Sequence, residues 1–121
     1  MAQISKDSPL IMFHLIHLKG QWKDRQKDLK SPEFDGLSFD YVEANTFEDQ
    51  KEGYWRWQFS WGGPSDELRA YVNRDDSIHR LEYWYMDWFD GAKVNVAAEH
   101  AAWSKMQDMI LHTAPGMVAN G

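Results

Sequence analysis

The sequence predicts an α+β fold: a three- or four-stranded antiparallel sheet arranged as a meander, a C-terminal helix packed on it, and helical N-terminal elements. Between residues 54 and 89, apolar and polar residues alternate in successive segments, and this period of two is typical of half-buried strands. Short turn-like segments separate them, which favours antiparallel pairing of neighbours. The 121 residues are enough for one hydrophobic core, so residues 1–121 are predicted to form a single domain.

The N-terminal part of the chain is predicted to be helical. A serine-proline pair at residues 8–9 is typical of a helix start, and Gly20 could end that helix. The apolar run within residues 9–19 also fits a buried strand, because periodicity does not separate the two over so few residues. Residues 21–30 are strong helix formers, so a helix is predicted there that ends at the following serine-proline pair.

The strands of the predicted sheet follow a segment with few apolar positions. Residues 33–53 are predicted to form a loop that contains one short strand, within residues 37–42. Beyond it, clusters of glycine, proline, serine and aspartate indicate turns between longer strands. The predicted strands are residues 54–61, 68–73 and Ile78 to about Phe89, with turns at residues 62–65 and 74–77.

The last predicted element is an amphipathic helix that runs from near Asn95 to His112. Its polar side carries His100, Ser104 and Asp108 at four-residue spacing. Residues 113–121 are predicted to be a flexible tail. The apolar side, which is expected to pack on the sheet, consists of Ala98, Ala101, Ala102, Met106, Met109 and Ile110.

The two faces of the predicted sheet differ in composition. One face is almost wholly aromatic and aliphatic and is expected to take the helix; it carries Trp55, Trp57, Phe59, Trp61, Leu68, Ala70, Val72, Leu81, Tyr83 and Tyr85. The other face interleaves Arg56, Arg69 and Arg80 with tyrosine, glutamate and Trp84. Guanidinium groups stack on rings and pair with carboxylates, so this second face is the better candidate for binding.

Composition excludes several kinds of site. The chain has no cysteine, which excludes disulfides, thiolate metal sites and cysteine nucleophiles. His14 and His17 have the spacing of two metal ligands on a helix, but no third ligand stands at a suitable spacing. The first residues lack the pattern of a signal peptide, and the longest apolar run is too short to span a bilayer. We therefore expect a cytoplasmic protein with no metal, no cofactor and no membrane partner.

Acidic residues are concentrated in one segment of the chain. Of the net charge of −6, residues 1–32 contribute +3, residues 33–52 contribute −6 and residues 53–121 contribute −3. This distribution disfavours direct binding of nucleic acid and favours a partner protein with a basic surface, although a solvated face that aids solubility is the simpler alternative. The residues predicted to bind the partner are Glu33, Asp35, Asp40, Glu43, Glu48, Asp49, Glu52, Arg56 and Trp84.

The stretch EYWYMDWFDGA, residues 82–92, contains a candidate pair of catalytic carboxylates. Asp87 and Asp90 lie where a strand is predicted to give way to a turn, and two carboxylates in a pocket can divide acid and base roles. Aspartate followed by glycine is also a common turn pair. The structural interpretation is favoured: Asp90 supports a turn at Gly91, Trp88 packs in the core against the C-terminal helix, and no catalytic residue is assigned.

Residues 54–92 resemble a group of small proteins carried by phages, plasmids and other mobile elements, on the strength of GGPSDE at residues 62–67 and EYWYMDWFDGA. Small acidic proteins of such mobile elements are often inhibitors of host defence, including anti-CRISPR proteins and DNA-mimicking nuclease inhibitors. The resemblance implies that this protein belongs among them. We therefore expect a non-enzymatic inhibitor in the host cytoplasm that occludes the nucleic-acid-binding surface of a Cas or nuclease component, with rings such as Trp55 or Trp84 as anchors. The alternatives are a small enzyme or ligand-binding domain that uses Asp87 and Asp90 with aromatic stacking, and a homodimer formed through exposed rings.

Overall fold

The computed structural model describes residues 11–31, 33–61, 64–87 and 90–113. They form an α+β fold in which two helices cover one face of a five-stranded antiparallel sheet, so the predicted fold class is confirmed, with five strands rather than three or four. The strands follow the order β1-β2-β3-β4-β5, which is a meander. The elements are α1 (Ile11–Leu29), β1 (Ser38–Val42), β2 (Tyr54–Ser60), β3 (Ser65–Val72), β4 (Ile78–Asp87), β5 (Asp90–Asn95) and α2 (Ala101–Thr113).

Helix α1 resolves the choice between helix and strand for its first half, and it continues through Gly20 rather than ending there. A glycine in a helix interior costs about 1 kcal/mol relative to alanine, which tertiary packing can offset. Leu18 and Leu29, on either side of Gly20, are both buried. Between them the Trp22 ring stacks on Tyr83 with 4.6 Å between ring centroids. The packing of both halves on the sheet therefore outweighs the glycine.

The C-terminal part of the prediction needs two corrections. Residues 90–95 form the edge strand β5, and the helix begins only at Ala101, where the backbone N–H of Ala102 donates to Nδ1 of His100 at 3.0 Å. Pairing with β4 overrides the weak strand propensity of β5, as tertiary contacts often do. Ala102, Met106 and Ile110 are buried on the sheet as expected, whereas Ala98 and Ala101 are exposed because the helix starts later.

The turn predicted at Gly91 is not present at that position. Asp87 pairs with Asp90, and Gly91 lies within β5 opposite Met86. The expected turn at Gly91 is therefore wrong, because Gly91 is a paired strand residue. The predicted core position of Trp88 lies outside the described residues, as does the predicted tail beyond Thr113.

The apolar face of the sheet is the core, as predicted. Trp55, Trp57, Leu68, Tyr83 and the other buried residues of this face form one cluster with the inner sides of both helices. Trp61 is the exception, since 64% of its surface is exposed. Strand β2 ends at Ser60 after an irregularity in its pairing with β3, so the alternation does not carry Trp61 into the core.

A buried polar cluster lies within this apolar layer and joins α1 to the sheet. Asp66, which is 1% exposed, accepts hydrogen bonds from Nε and Nη2 of Arg25 at 2.7 and 3.1 Å and from the Tyr83 hydroxyl at 2.5 Å. The Ser60 hydroxyl donates to the same carboxylate. Burial by itself lowers the pKa of Arg25, but hydrogen bonding and attraction to Asp66 raise it overall. Burial and the Asp66 charge also raise the pKa of Tyr83, which keeps its hydroxyl a donor.

We expect Trp57→Phe to lower the free energy of unfolding by about 1 kcal/mol more than Trp55→Phe does. Both rings are fully buried, so the two changes remove similar volumes from the core. Trp57 Nε1 donates to the Asp35 carbonyl at 2.7 Å, whereas Trp55 Nε1 is buried with no hydrogen-bond partner among the described residues. Chemical denaturation of the two variants measures the difference, and equal losses would show that the Trp57 hydrogen bond adds nothing.

Candidate binding site on the polar face of the sheet

The face of the sheet that points away from the helices, which we call the polar face, carries a row of charged side chains that runs across the strands. Asp40, Arg56, Arg69 and Glu82 stand opposite one another in β1, β2, β3 and β4. Arg56 makes a two-pronged contact with Asp40, from Nε at 3.0 Å and from Nη2 at 2.7 Å. Two arginines on adjacent strands repel each other, so carboxylates on either side of them compensate the charge.

Arg69 is held at the centre of this face by rings and by a buried carboxylate. Its guanidinium carbon lies 4.0 Å from the centre of the Trp84 ring and 4.8 Å from that of Tyr54. Its Nε donates to Glu67 at 2.6 Å, and the Glu67 residue is only 3% exposed. Contacts with rings on two sides and an ion pair leave the guanidinium little freedom to move.

Glu82 is the second buried carboxylate of the face, with 1% of its surface exposed. It accepts hydrogen bonds from Lys93 Nζ at 2.9 Å and from Trp84 Nε1 at 3.0 Å. Arg80 Nε lies 3.3 Å from Glu82, close enough for an ion pair although it lacks the geometry of a hydrogen bond. Burial acts to raise the pKa of Glu82, but the contacts with Lys93, Trp84 and Arg80 prevail and hold that pKa below its ordinary value.

Arg80 connects the sheet to the segment from Glu43 to Glu52, which we call the acidic loop. Its guanidinium carbon lies 3.8 Å from the centre of the Tyr71 ring, and its Nη2 donates to Glu52 at 3.1 Å. Both side chains of this pair are partly exposed, so the pair itself contributes about 1 kcal/mol or less. Its effect is to place the end of the acidic loop beside the arginines and rings of the polar face.

The side chain of Gln50 organises the acidic loop. Its Oε1 accepts from the backbone N–H groups of Thr46 and Phe47, both at 3.0 Å. Its Nε2 donates to the carbonyls of Glu43 at 2.9 Å and Glu52 at 2.7 Å. One amide thus adds to the backbone hydrogen bonds within the loop, such as the one from the Asn45 N–H to the Gln50 carbonyl at 2.8 Å, and it joins the two ends of the loop to its middle.

A cavity of about 350 Å³ lies between the acidic loop and the polar face. The loop side runs from Phe47 to Glu52. The sheet side is formed by Tyr54, Arg69, Tyr71, Arg80 and Trp84. The cavity therefore combines aromatic rings, guanidinium groups and carboxylates, and its volume is in the range of small-molecule sites.

The structure divides the residues predicted to bind a partner into three places. Glu33 and Asp35 are exposed beyond the end of α1, away from the cavity. Asp40 and Arg56 pair with each other on β1 and β2. Glu43, Glu48, Asp49 and Glu52 are exposed on the acidic loop, and the last three line the cavity together with Trp84.

The two tryptophans expected to anchor a partner are both buried. Trp55 is 1% exposed and packs on the helix-covered face between Phe39 and Tyr41, so no partner touches it without unfolding the sheet. Trp84 is also 1% exposed and lines the cavity.

Several residues of this site were not identified from the sequence. The alternation of β3 and β4 places Arg69 and Arg80 on the polar face, but it does not show that Tyr54, Tyr71 and a loop will enclose them. The contribution of Gln50 could not be found, because a glutamine within an acidic loop carries no pattern of its own. The side chains of Asp87 and Asp90, the candidate carboxylate pair, lie outside the described part of the structure.

Within the described ranges, no three histidine, aspartate or glutamate side chains are grouped so that they could hold a metal ion. Neither α1 nor α2, the two helices that these ranges contain, is long and apolar enough to cross a membrane. No family model, curated protein or solved structure matches the chain.

Proposed function

We propose that the protein is a non-enzymatic binding protein that uses its acidic loop to occlude a basic surface on a partner protein. The observation that carries this proposal is the display of Glu43, Glu48, Asp49 and Glu52 as exposed side chains on one loop. Gln50 already orders that loop, so little conformational entropy is lost when a partner binds. A negative loop on a chain of net charge −6 also speeds encounter with a positive surface.

The non-enzymatic part of the proposal is supported by how the buried carboxylates are used. Glu67 is bound to Arg69, and Glu82 is bound to Lys93 and Trp84. Carboxylates held in this way act as counter-charges for the cations around them rather than as acids or bases for a substrate. The kind of partner follows from the resemblance of residues 54–92: a Cas or nuclease component of host defence, met in the host cytoplasm, whose nucleic-acid-binding surface is basic.

Reversing charges on the exposed acidic loop should weaken partner binding without unfolding the protein. We expect Glu43→Lys with Glu48→Lys to weaken binding by about tenfold or more. The lysines would repel a basic partner, both while it approaches and at the rim of the interface. The matched control, Glu99→Lys with Asp108→Lys, makes the same change in net charge at exposed positions away from the loop. Thermal melting should differ little between the variants.

The measurement is capture of a basic nucleic-acid-binding protein from host lysate, followed by a nuclease or DNA-binding assay with the captured protein. The proposal is supported if capture decreases with added salt, if nucleic acid competes with capture, and if the protein inhibits the captured partner. Equal capture by the two double variants, or capture without inhibition, would contradict it. Asp87→Asn should behave like the unmodified protein; a stable Asp87→Asn variant without function would instead favour an enzyme that uses Asp87 and Asp90.

A further inference from the structure

The cavity under the acidic loop offers a flat ligand three kinds of contact. Phe47 supplies a ring on the loop side, and on the sheet side the guanidinium groups of Arg69 and Arg80 lie over the rings of Tyr54, Trp84 and Tyr71. Phe47 is 51% exposed, so its ring is accessible without a change in the core. An accessible Phe47 ring on one side of the cavity and guanidinium groups on the other favour a planar guest that can stack.

The charges that line the cavity balance one another. Glu48, Asp49 and Glu52 on the loop side stand against Lys51, Arg69 and Arg80. A guest with a net charge would upset this balance and would lose hydration on entry, whereas a neutral guest with both donors and acceptors would not. The lining therefore favours a neutral, polar and flat molecule.

Arg69 has hydrogen-bond donors that are available to such a guest. Its Nε is bound to Glu67, and its Nη2 has only a weak contact with Met86 Sδ at 3.6 Å. No hydrogen bond within the described residues uses its Nη1. The carboxylates of Glu48 and Asp49 supply acceptors on the opposite side of the cavity.

We propose that this cavity binds the base of a free guanine nucleoside. Guanine presents two acceptors, O6 and N7, to which a guanidinium group donates well. Its other edge presents the N1–H and the N2 amino group, which are donors for carboxylates. Adenine places an amino donor where guanine has O6, and cytosine lacks the second ring for stacking, so both fit this lining less well.

A free nucleoside fits better than a nucleotide or a nucleic acid strand. The acidic loop forms one side of the cavity, and the chain carries a net charge of −6. Each phosphate would meet this negative field, which disfavours polyanions. This site goes beyond the proposed function, because a protein can occlude a basic surface whether or not its cavity takes a ligand.

Isothermal titration calorimetry of the full chain with nucleosides tests the proposal. Guanosine should bind; inosine, which lacks only the N2 amino group, should bind about fivefold or more weakly, and adenosine and cytidine about tenfold or more weakly. Guanosine monophosphate and a short guanine-containing oligonucleotide should both bind more weakly than guanosine. Absence of guanosine binding, or equal binding of guanosine, inosine and adenosine, overturns the proposal; tighter binding of the oligonucleotide overturns the choice of a free nucleoside.

The variant Phe47→Ala separates a stacked base from adventitious binding elsewhere. It should weaken guanosine binding by about 5- to 150-fold, the range for loss of a base–aromatic stack. The matched control is Leu37→Ala, an equally exposed apolar residue that does not line the cavity, and it should leave binding unchanged. Unaltered guanosine binding by Phe47→Ala would place the nucleoside outside this cavity. Partner capture that persists when nucleoside binding fails would leave the proposed function intact.

Discussion

Replacing Asp66 with alanine is expected to lower the free energy of unfolding by about 3–5 kcal/mol, the cost of leaving one member of a buried ion pair alone. Asp66 is 1% exposed and accepts two hydrogen bonds from Arg25. Without it, the Arg25 guanidinium and the Tyr83 hydroxyl would remain inside the apolar layer with no acceptor in place of Asp66. Denaturation with urea measures the loss, and the midpoint should fall while the cooperativity of unfolding is retained.

The control for Asp66→Ala is Asp28→Ala. Asp28 binds the same guanidinium, from Arg25 Nη1 at 2.9 Å, but its side chain is 40% exposed. Its removal should cost about 1 kcal/mol or less, because water replaces it. Similar losses for the two variants would show that burial of the cluster contributes little and that the ion pair is effectively solvated.

Replacing Glu82 with alanine should cost about 3 kcal/mol or more, since three groups lose their shared acceptor. Lys93, Trp84 Nε1 and Arg80 all face this carboxylate, which is 1% exposed. The control is Glu52→Ala, which removes an exposed partner of Arg80 and should cost about 1 kcal/mol or less. If Glu82→Ala unfolds at the same denaturant concentration as the control, Glu82 does not hold the polar face together.

The lowered pKa of Glu82 predicts how the stability of the protein depends on pH. Its pKa in the folded protein lies below the ordinary value of 4.5, so the folded state favours the ionised form. The resulting stabilisation is present above the ordinary value and is lost as the pH falls through the lower, folded value. We expect Glu82→Gln to flatten this part of the pH dependence of unfolding. A curve for Glu82→Gln that runs parallel to that of the unmodified protein would contradict the assignment.

The sequence predicted those parts of the fold in which one side-chain pattern dominates. Strands β2, β3 and β4 alternate strictly enough that the apolar layer and the polar face could be assigned residue by residue. The register that sets Arg56, Arg69 and Glu82 opposite one another agrees with that assignment. Burial of large rings on one side of the sheet is a strong physical constraint, and the alternation of apolar and polar residues along each strand shows it directly.

The features that could not be predicted depend on contacts between distant segments. Strand β5 reads DGAKVN and has little strand propensity, so only its pairing with β4 makes it a strand. Asp66 sits at an apolar position of β3 and was assigned no partner, because Arg25 lies 41 residues away. The cavity arises in the same way, since the acidic loop reaches Arg80 of β4 through Glu52.

The attachment of the acidic loop through Gln50 has a consequence for motion. Because one side chain holds Glu43, Thr46, Phe47 and Glu52 together, the loop should open as a single body rather than fray residue by residue. Hydrogen exchange at the amides of Thr46 and Phe47 would then report one shared opening rate. That same opening would uncover Trp84 and swing the exposed carboxylates away from their resting positions. Access to the cavity and the pattern of charge shown to a partner would therefore change together, at one rate.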